Sequence, residues 1–199
     1  MHRLFSLCLE VGIASLFLIP AFWCLNRFYF RNASRAAVCL VFSLYLAAVD
    51  AGVGLPSLLY FRFERNINLH PFAYMFSDYK NSLLNVLLFI PLGFGLTVLW
   101  KRYRSFFRTA LFGFGFSLAI ELLQLFARRA TDVNDLMTNT LGAGLGWCLG
   151  RLLLRRFPSL RPSWKTGEVF VTFAVTFCVM FFLQPLPAAL LWSLVLFPD

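Results

Sequence analysis

The sequence predicts an all-α fold, a polytopic transmembrane helical bundle of about six membrane segments, or five plus a proline-broken last segment. Three observations predict it. First, 60% of the 199 residues are hydrophobic, 25 residues are Phe, and only 14% are charged, against about 25% charged in soluble domains. Too few polar side chains remain to cover a surface facing water. Second, the apolar residues gather in six stretches, 4–25, 36–61, 82–100, 109–127, 136–154 and 169–197, each near the roughly 20 residues that a spanning helix needs. Third, the basic residues sit mostly in the short connectors between those stretches, and unevenly.

The same composition excludes disorder and a disulfide-stapled secreted fold. The five cysteines are odd in number, form no CxxC and lie in apolar stretches, so they read as small buried hydrophobes. The net charge of +9 does not point to nucleic acid, because no polar surface is available to carry such an interface. In the connectors these charges set topology and touch anionic lipid headgroups. No cofactor and no metal site is expected.

In chain order, segment 1 begins after Met1-His2-Arg3, lacks a small-residue cleavage site and is expected to be a retained helix rather than a signal peptide. Segment 2 follows Arg27, Arg31 and Arg35 and carries Asp50. Together these form an N-terminal hairpin, residues 1–65. Segment 3 opens with Asn81 and Asn85, spaced i, i+4 on one helical face, and contains Pro91-Leu92-Gly93, an expected bend. Segments 4 and 5 flank a short connector around Arg128 and Arg129. With segment 3 they form the core, residues 66–155. Segment 6, within residues 156–199, is broken by Pro185 and Pro187. It is either one kinked helix or a span over 169–184 with an interfacial tail. Trp23, Trp100 and Trp192 lie toward segment ends, as an aromatic belt expects.

Twelve of the 18 basic residues fall in the connectors 26–35, 101–108 and 151–168. The positive-inside rule places those in the cytoplasm of a cell inner membrane and, with six spans, both termini outside. Glu10, Asp50, Glu64, Asp78, Glu121, Asp132, Asp135 and Asp199 then gather at the outer face, leaving Glu168 inside.

On a helical wheel at 100° per residue, Gly113, Ser117, Glu121, Gln124 and Arg128 share an arc of about 80°, and so do Asp132, Asp135, Asn139, Gly142, Gly146 and Gly150. Antiparallel pairing of these stripes sets Gly113 near Gly150, Ser117 near Gly146, Glu121 near Gly142 and Gln124 near Asn139. The glycine ridge would let the two backbones touch. A carboxylate at Glu121 costs too much facing lipid, so it is expected to face protein or a wet cavity.

The run Asn68-Leu69-His70-Pro71-Phe72, Asn81, Asn85, Leu88-Phe89-Ile90-Pro91-Leu92-Gly93-Phe94, Ile120-Glu121-Leu122-Leu123-Gln124, Arg129-Ala130-Thr131-Asp132, Asp135, Asn139-Thr140-Leu141-Gly142 and Gly146 resembles the VanZ-like family of bacterial membrane proteins. The resemblance spans about 66–155. It implies an integral membrane protein of the cell envelope, in a family whose name-giving members are associated with resistance to the glycopeptide teicoplanin. It selects Arg129, where the helical stripe selects Arg128.

Two readings of the cluster follow. In one, an outward-facing pocket binds or processes an anionic lipid-linked envelope precursor. Arg129 holds the anion. Asn85, Gln124, Asp132, Asp135 and Asn139 complete a substrate-binding shell, and Glu121 is the candidate general acid or base. In the other, the protein is a non-catalytic scaffold, or binds a partner or membrane lipids, and the cluster is structural. Asp132 and Asp135 would then cap helix 5. No phosphate loop, nucleophile elbow or HExxH is present.

Overall fold

A computed structural model describes residues 2–63, 67–68, 70, 72, 79–127, 131–160, 162 and 164–196. By packing, the chain forms two units, residues 1–62 with 167–199, and residues 63–166.

The first unit is built on α1 (His2–Leu25) and α2 (Ala33–Val53), joined by a π-helical turn over Asn26–Phe30. The turn closes on Arg31, whose left-handed φ of 50° reverses the chain. The Asn26 side chain accepts from the Asn32 N–H at 3.0 Å, and Asn32 in turn caps α2 by accepting from the Arg35 N–H at 3.0 Å. These bonds satisfy donors that a helix start otherwise leaves open. Gly54 closes α2 at φ 67°, donating its N–H to the Asp50 carbonyl at 2.9 Å, in the left-handed conformation that glycine adopts without penalty. Helix α6 (Thr166–Cys178) runs into a π-turn over Val179–Leu183, and α7 (Pro185–Leu196) follows. Proline is tolerated at that first helical position because its missing N–H would be unpaired there anyway. The last apolar segment is therefore two helices. At 12 residues, or about 18 Å at 1.5 Å per residue, α7 is too short to span. The Ser43 and Thr176 hydroxyls meet between α2 and α6. Near the other end of those helices Arg35 pairs with the buried Glu168 at 3.6 Å.

The second unit holds α3 (Tyr79–Leu99), α4 (Phe106–Gln124) and α5 (Val133–Arg156), with a two-residue parallel pairing of β1 (Ile67–Asn68) and β2 (Thr131–Asp132). Pro91 lies inside α3, which remains helical through it. The α3–α4 connector is one 3₁₀ turn, Lys101–Arg104. Arg104 donates to the Pro162 carbonyl at 2.6 Å, and Trp147 Nε1 donates to the Arg104 carbonyl at 3.1 Å. These bonds hold the basic turn Lys101–Arg104 to Pro162 and to Trp147 of α5.

Helix α5 lies between α3 and α4, and its glycines decide how closely. A β-carbon on Gly142 would overlap the Val86 carbonyl, one on Gly146 the Ile90 carbonyl, and one on Gly93 the Ala143 carbonyl. The expectation that Gly142 and Gly146 form the α4–α5 contact is therefore corrected: they face α3. Helices α4 and α5 are still antiparallel neighbours, but meet through Gly113 against Ala143 and Ser117 against Asn139.

Polarity is arranged for lipid. On α4, Leu111, Phe114, Leu118 and Leu122 point outward, while Thr109, Ser117, Glu121 and Gln124 are buried. Buried hydroxyls return to their own helices, as Thr97 does to the Gly93 carbonyl at 2.8 Å and Thr172 to the Glu168 carbonyl at 2.7 Å. Such bonds make polar residues tolerable where water is absent. The protein is thus a multi-pass helical membrane protein. Among the described residues, five helical stretches, Leu4–Phe30, Ala33–Val53, Tyr79–Leu99, Phe106–Gln124 and Thr166–Leu183, are long and apolar enough to cross. Helix α5, at 24 residues, has the length, but its glycines and polar first turns keep it out of that set.

Two smaller expectations are corrected. Of the cysteines only Cys39 is buried; the other four are exposed, because in a membrane protein an apolar side chain is equally at home on the outer face. Trp100 is fully buried against Trp164, edge to face at 5.9 Å, rather than sitting in an aromatic belt.

Candidate functional site

The polar residues singled out by the sequence lie in the second unit, where α4 gives way to α5. Helix α4 ends at Gln124, and a tight turn follows, with Phe126 N–H to the Leu123 carbonyl at 2.9 Å and Ala127 N–H to the Gln124 carbonyl at 3.0 Å. By Thr131 the chain has already returned alongside α4. Thr131 Oγ1 donates to the Glu121 carbonyl at 2.9 Å, and the Asp132 N–H donates to Glu121 Oε2 at 2.8 Å. Glu121 is 4% exposed, so its carboxylate is a buried clasp on the connector.

Asp132 is the N-cap of α5. Its Oδ1 accepts from the Asn134 N–H and from Asn134 Nδ2, both at 2.9 Å, and its Oδ2 accepts from Asn68 Nδ2 at 3.1 Å. Asn134 Oδ1 accepts from the Phe72 N–H at 2.7 Å. These bonds tie the start of α5 to Asn68 and Phe72 and supplement the β1–β2 pairing. Asp135, half-buried in the first turn of α5, acts electrostatically on Glu121 together with Asp132. Deeper in, Asn139 Nδ2 donates to Ser117 Oγ at 2.9 Å, while the buried Asn139 Oδ1 has no protein donor among the described residues.

Glu121, Asp132 and Asp135 thus lie together, with Asn139 directed at α4. Gln124 is buried one turn beyond Glu121. Asn85 is half-buried on α3 and makes no hydrogen bond with this group among the described residues. Arg128 and Arg129 lie outside the described residues. Among the described residues no three His, Cys, Asp or Glu side chains are grouped as a metal requires.

The α4–α5 register differs from the expected one. Ser117 was expected opposite Gly146 and bonds Asn139 instead, seven residues earlier. The cause is the connector. The expectation ran helix 4 to residue 127 and began helix 5 at 136, whereas the chain turns back sooner and α5 starts at Val133, level with Glu121. Three members went unrecognised as site residues: Asn68, Asn134 and Ser117. Asn134 had a signal, because Asp132-Val133-Asn134 at a helix start is the spacing of an Asx turn.

The fold and this site define a class: a multi-pass helical membrane protein with an ionisable network buried at the head of its bundle. The chain belongs to the VanZ/LLP1 family, whose profile matches residues 36–155. The match takes in α2 as well as the 66–155 stretch. Protein VanZ of Enterococcus faecium is 38% identical over 84 residues, which is 42% of this chain and 51% of that protein. The alignment therefore spans about half the length of this curated relative. No solved structure matches the chain.

Proposed function

We propose that this protein works in the cytoplasmic membrane of a bacterial cell envelope by recognising an anionic lipid-linked envelope precursor without turning it over, and that this lowers glycopeptide susceptibility. Arg129 is the anion-reading residue, for its planar five-donor fork. The buried network holds the connector that carries it. One observation supports this over catalysis: the candidate acid–base group is already engaged, with Glu121 Oε2 accepting from the Asp132 N–H at 2.8 Å inside the protein. A general acid or base must reach the proton it moves.

Complementation of a deletion strain in a teicoplanin-susceptibility assay, at matched protein levels, tests the reading. Arg129→Ala is expected to abolish complementation and Glu121→Gln to retain most of it, since glutamine still offers an oxygen to the Asp132 N–H. Loss with Glu121→Gln in a folded protein would return Glu121 to an acid–base role. Full activity of Arg129→Ala would remove the anion site.

The orientation carried by this proposal places 101–108 and 151–168 in the cytoplasm and residues 128–132 outside. Cysteine labelling of intact cells checks it. Position 104 is expected to be protected and position 129 reactive, and the reverse pattern would invert the topology.

A further inference from the structure

The first unit contains a cavity of 610 Å³ to which no role has been assigned, lying wholly among α1, the end of α2, the loop after it and the α6–α7 junction. Its volume is in the range of small-molecule sites, about 300–1,000 Å³. Glu10 of α1 and Asp50 of α2 both line it, and none of the lining residues is Lys, Arg or His. Glu10 accepts one hydrogen bond, from Ser6 Oγ at 3.1 Å. No side chain among the described residues donates to Asp50. Two carboxylates on membrane-spanning helices, with no cation among the described lining residues, are costly unless something neutralises them.

A third group points into the same space. Gln184 lines the cavity and is only 6% exposed. Its backbone is satisfied, the N–H by the Val179 carbonyl at 2.8 Å and the carbonyl by the Ala188 N–H at 3.1 Å. Its side-chain amide has no hydrogen-bond partner among the described residues, although a buried amide ordinarily has one. Its position follows from the π-turn and Pro185, which break the last apolar segment at this residue. The rest of the wall is mostly apolar and aromatic, including Met180, Tyr60 and Trp192, with the hydroxyl residues Ser57 and Ser193 among them.

We infer that this cavity binds the primary ammonium group of an amphiphile. A primary ammonium has three N–H donors and no acceptor. Glu10, Asp50 and the Gln184 amide oxygen supply three acceptors, two of them charged. Tyr60 and Trp192 offer the aromatic faces to which ammonium groups are drawn, and Met180 with the alanines of α7 suits an alkyl stem. The group could be borne by a free lipophilic amine or by an aminophospholipid headgroup, and both present the same chemistry.

The test is fluorescence anisotropy of dansylcadaverine, a primary amine on an apolar stem, with the full chain in phosphatidylcholine nanodiscs. Saturable binding is expected. It should weaken about tenfold or more, as loss of a charge-assisted hydrogen bond implies, in Asp50→Asn, Glu10→Gln and Gln184→Met. The N-acetylated probe should not bind to the wild-type chain. That comparison needs no variant and decides the matter even if a substitution unfolds the protein. Repeating the titration in phosphatidylethanolamine discs separates the sources. Weaker apparent binding there identifies the lipid headgroup as the occupant, and unchanged binding identifies a free amine. Absence of saturable binding in phosphatidylcholine, or equal binding of the acetylated probe, overturns the inference.

Discussion

Gly146→Leu is expected to destabilise the second unit by about 3 kcal/mol or more, the upper end of the cost of overpacking. Even a single β-carbon there would overlap the Ile90 carbonyl and crowd the Phe94 N–H. Both are backbone atoms, which cannot rotate aside as a side chain would. Helix α5 would have to move off α3, giving up the buried contacts of Phe89, Leu92 and Ala143. Gly115 is the matched control, since a β-carbon there meets nothing within 4 Å, and Gly115→Leu is expected to be tolerated. Thermal unfolding of the two variants in detergent checks this. Equal melting temperatures would refute the α3–α5 packing.

The second large effect is expected at Glu121. Glu121→Ala removes the acceptor of the Asp132 N–H and leaves a void beneath the connector, together costing about 3 kcal/mol. For a chain of this length that lowers the melting temperature by roughly 10 °C. Glu121→Gln keeps an oxygen in place and is expected to cost less than about 1 kcal/mol, as volume-conserving changes usually do. Hydrogen exchange gives a local readout. The Asp132 amide should lose protection in the alanine variant and keep it in the glutamine variant. Unaltered protection in Glu121→Ala would show that the clasp does not hold the connector.

These two sites also mark where sequence reasoning stops. Composition and the length of the apolar stretches sufficed for the class, because a chain with 14% charged residues cannot clothe a water-facing surface, and a spanning helix has a length set by the bilayer. Burial of Glu121 was legible for a related reason: a carboxylate on an otherwise apolar helix has to turn inward. Capping of α5 by Asp132 was also among the readings, since an acidic residue before a helical run offers its oxygens to the open N–H groups.

The partners of those residues were not legible. A ridge of Gly142, Gly146 and Gly150 announces that some backbone comes close, but glycine has no side chain with which to choose it. The face that α3 brings is a row of carbonyls, from Val86 and Ile90, and every helix has carbonyls. The α4–α5 register likewise depended on where a short connector turned, which was decided by Thr131 and Asp132 folding back onto Glu121. Helical periodicity repeats every turn, so a slip of two turns preserves both stripes while exchanging every contact between them. By itself, then, the sequence determined the solvent this protein lives in, the spans that suit it and the charges that must be hidden. Only the tertiary structure decided which helix the glycines meet and what occupies the carboxylate of Glu121. It also brought Glu10, Asp50 and Gln184, far apart in the chain, to one cavity, because such meetings follow from long-range packing that no local pattern encodes.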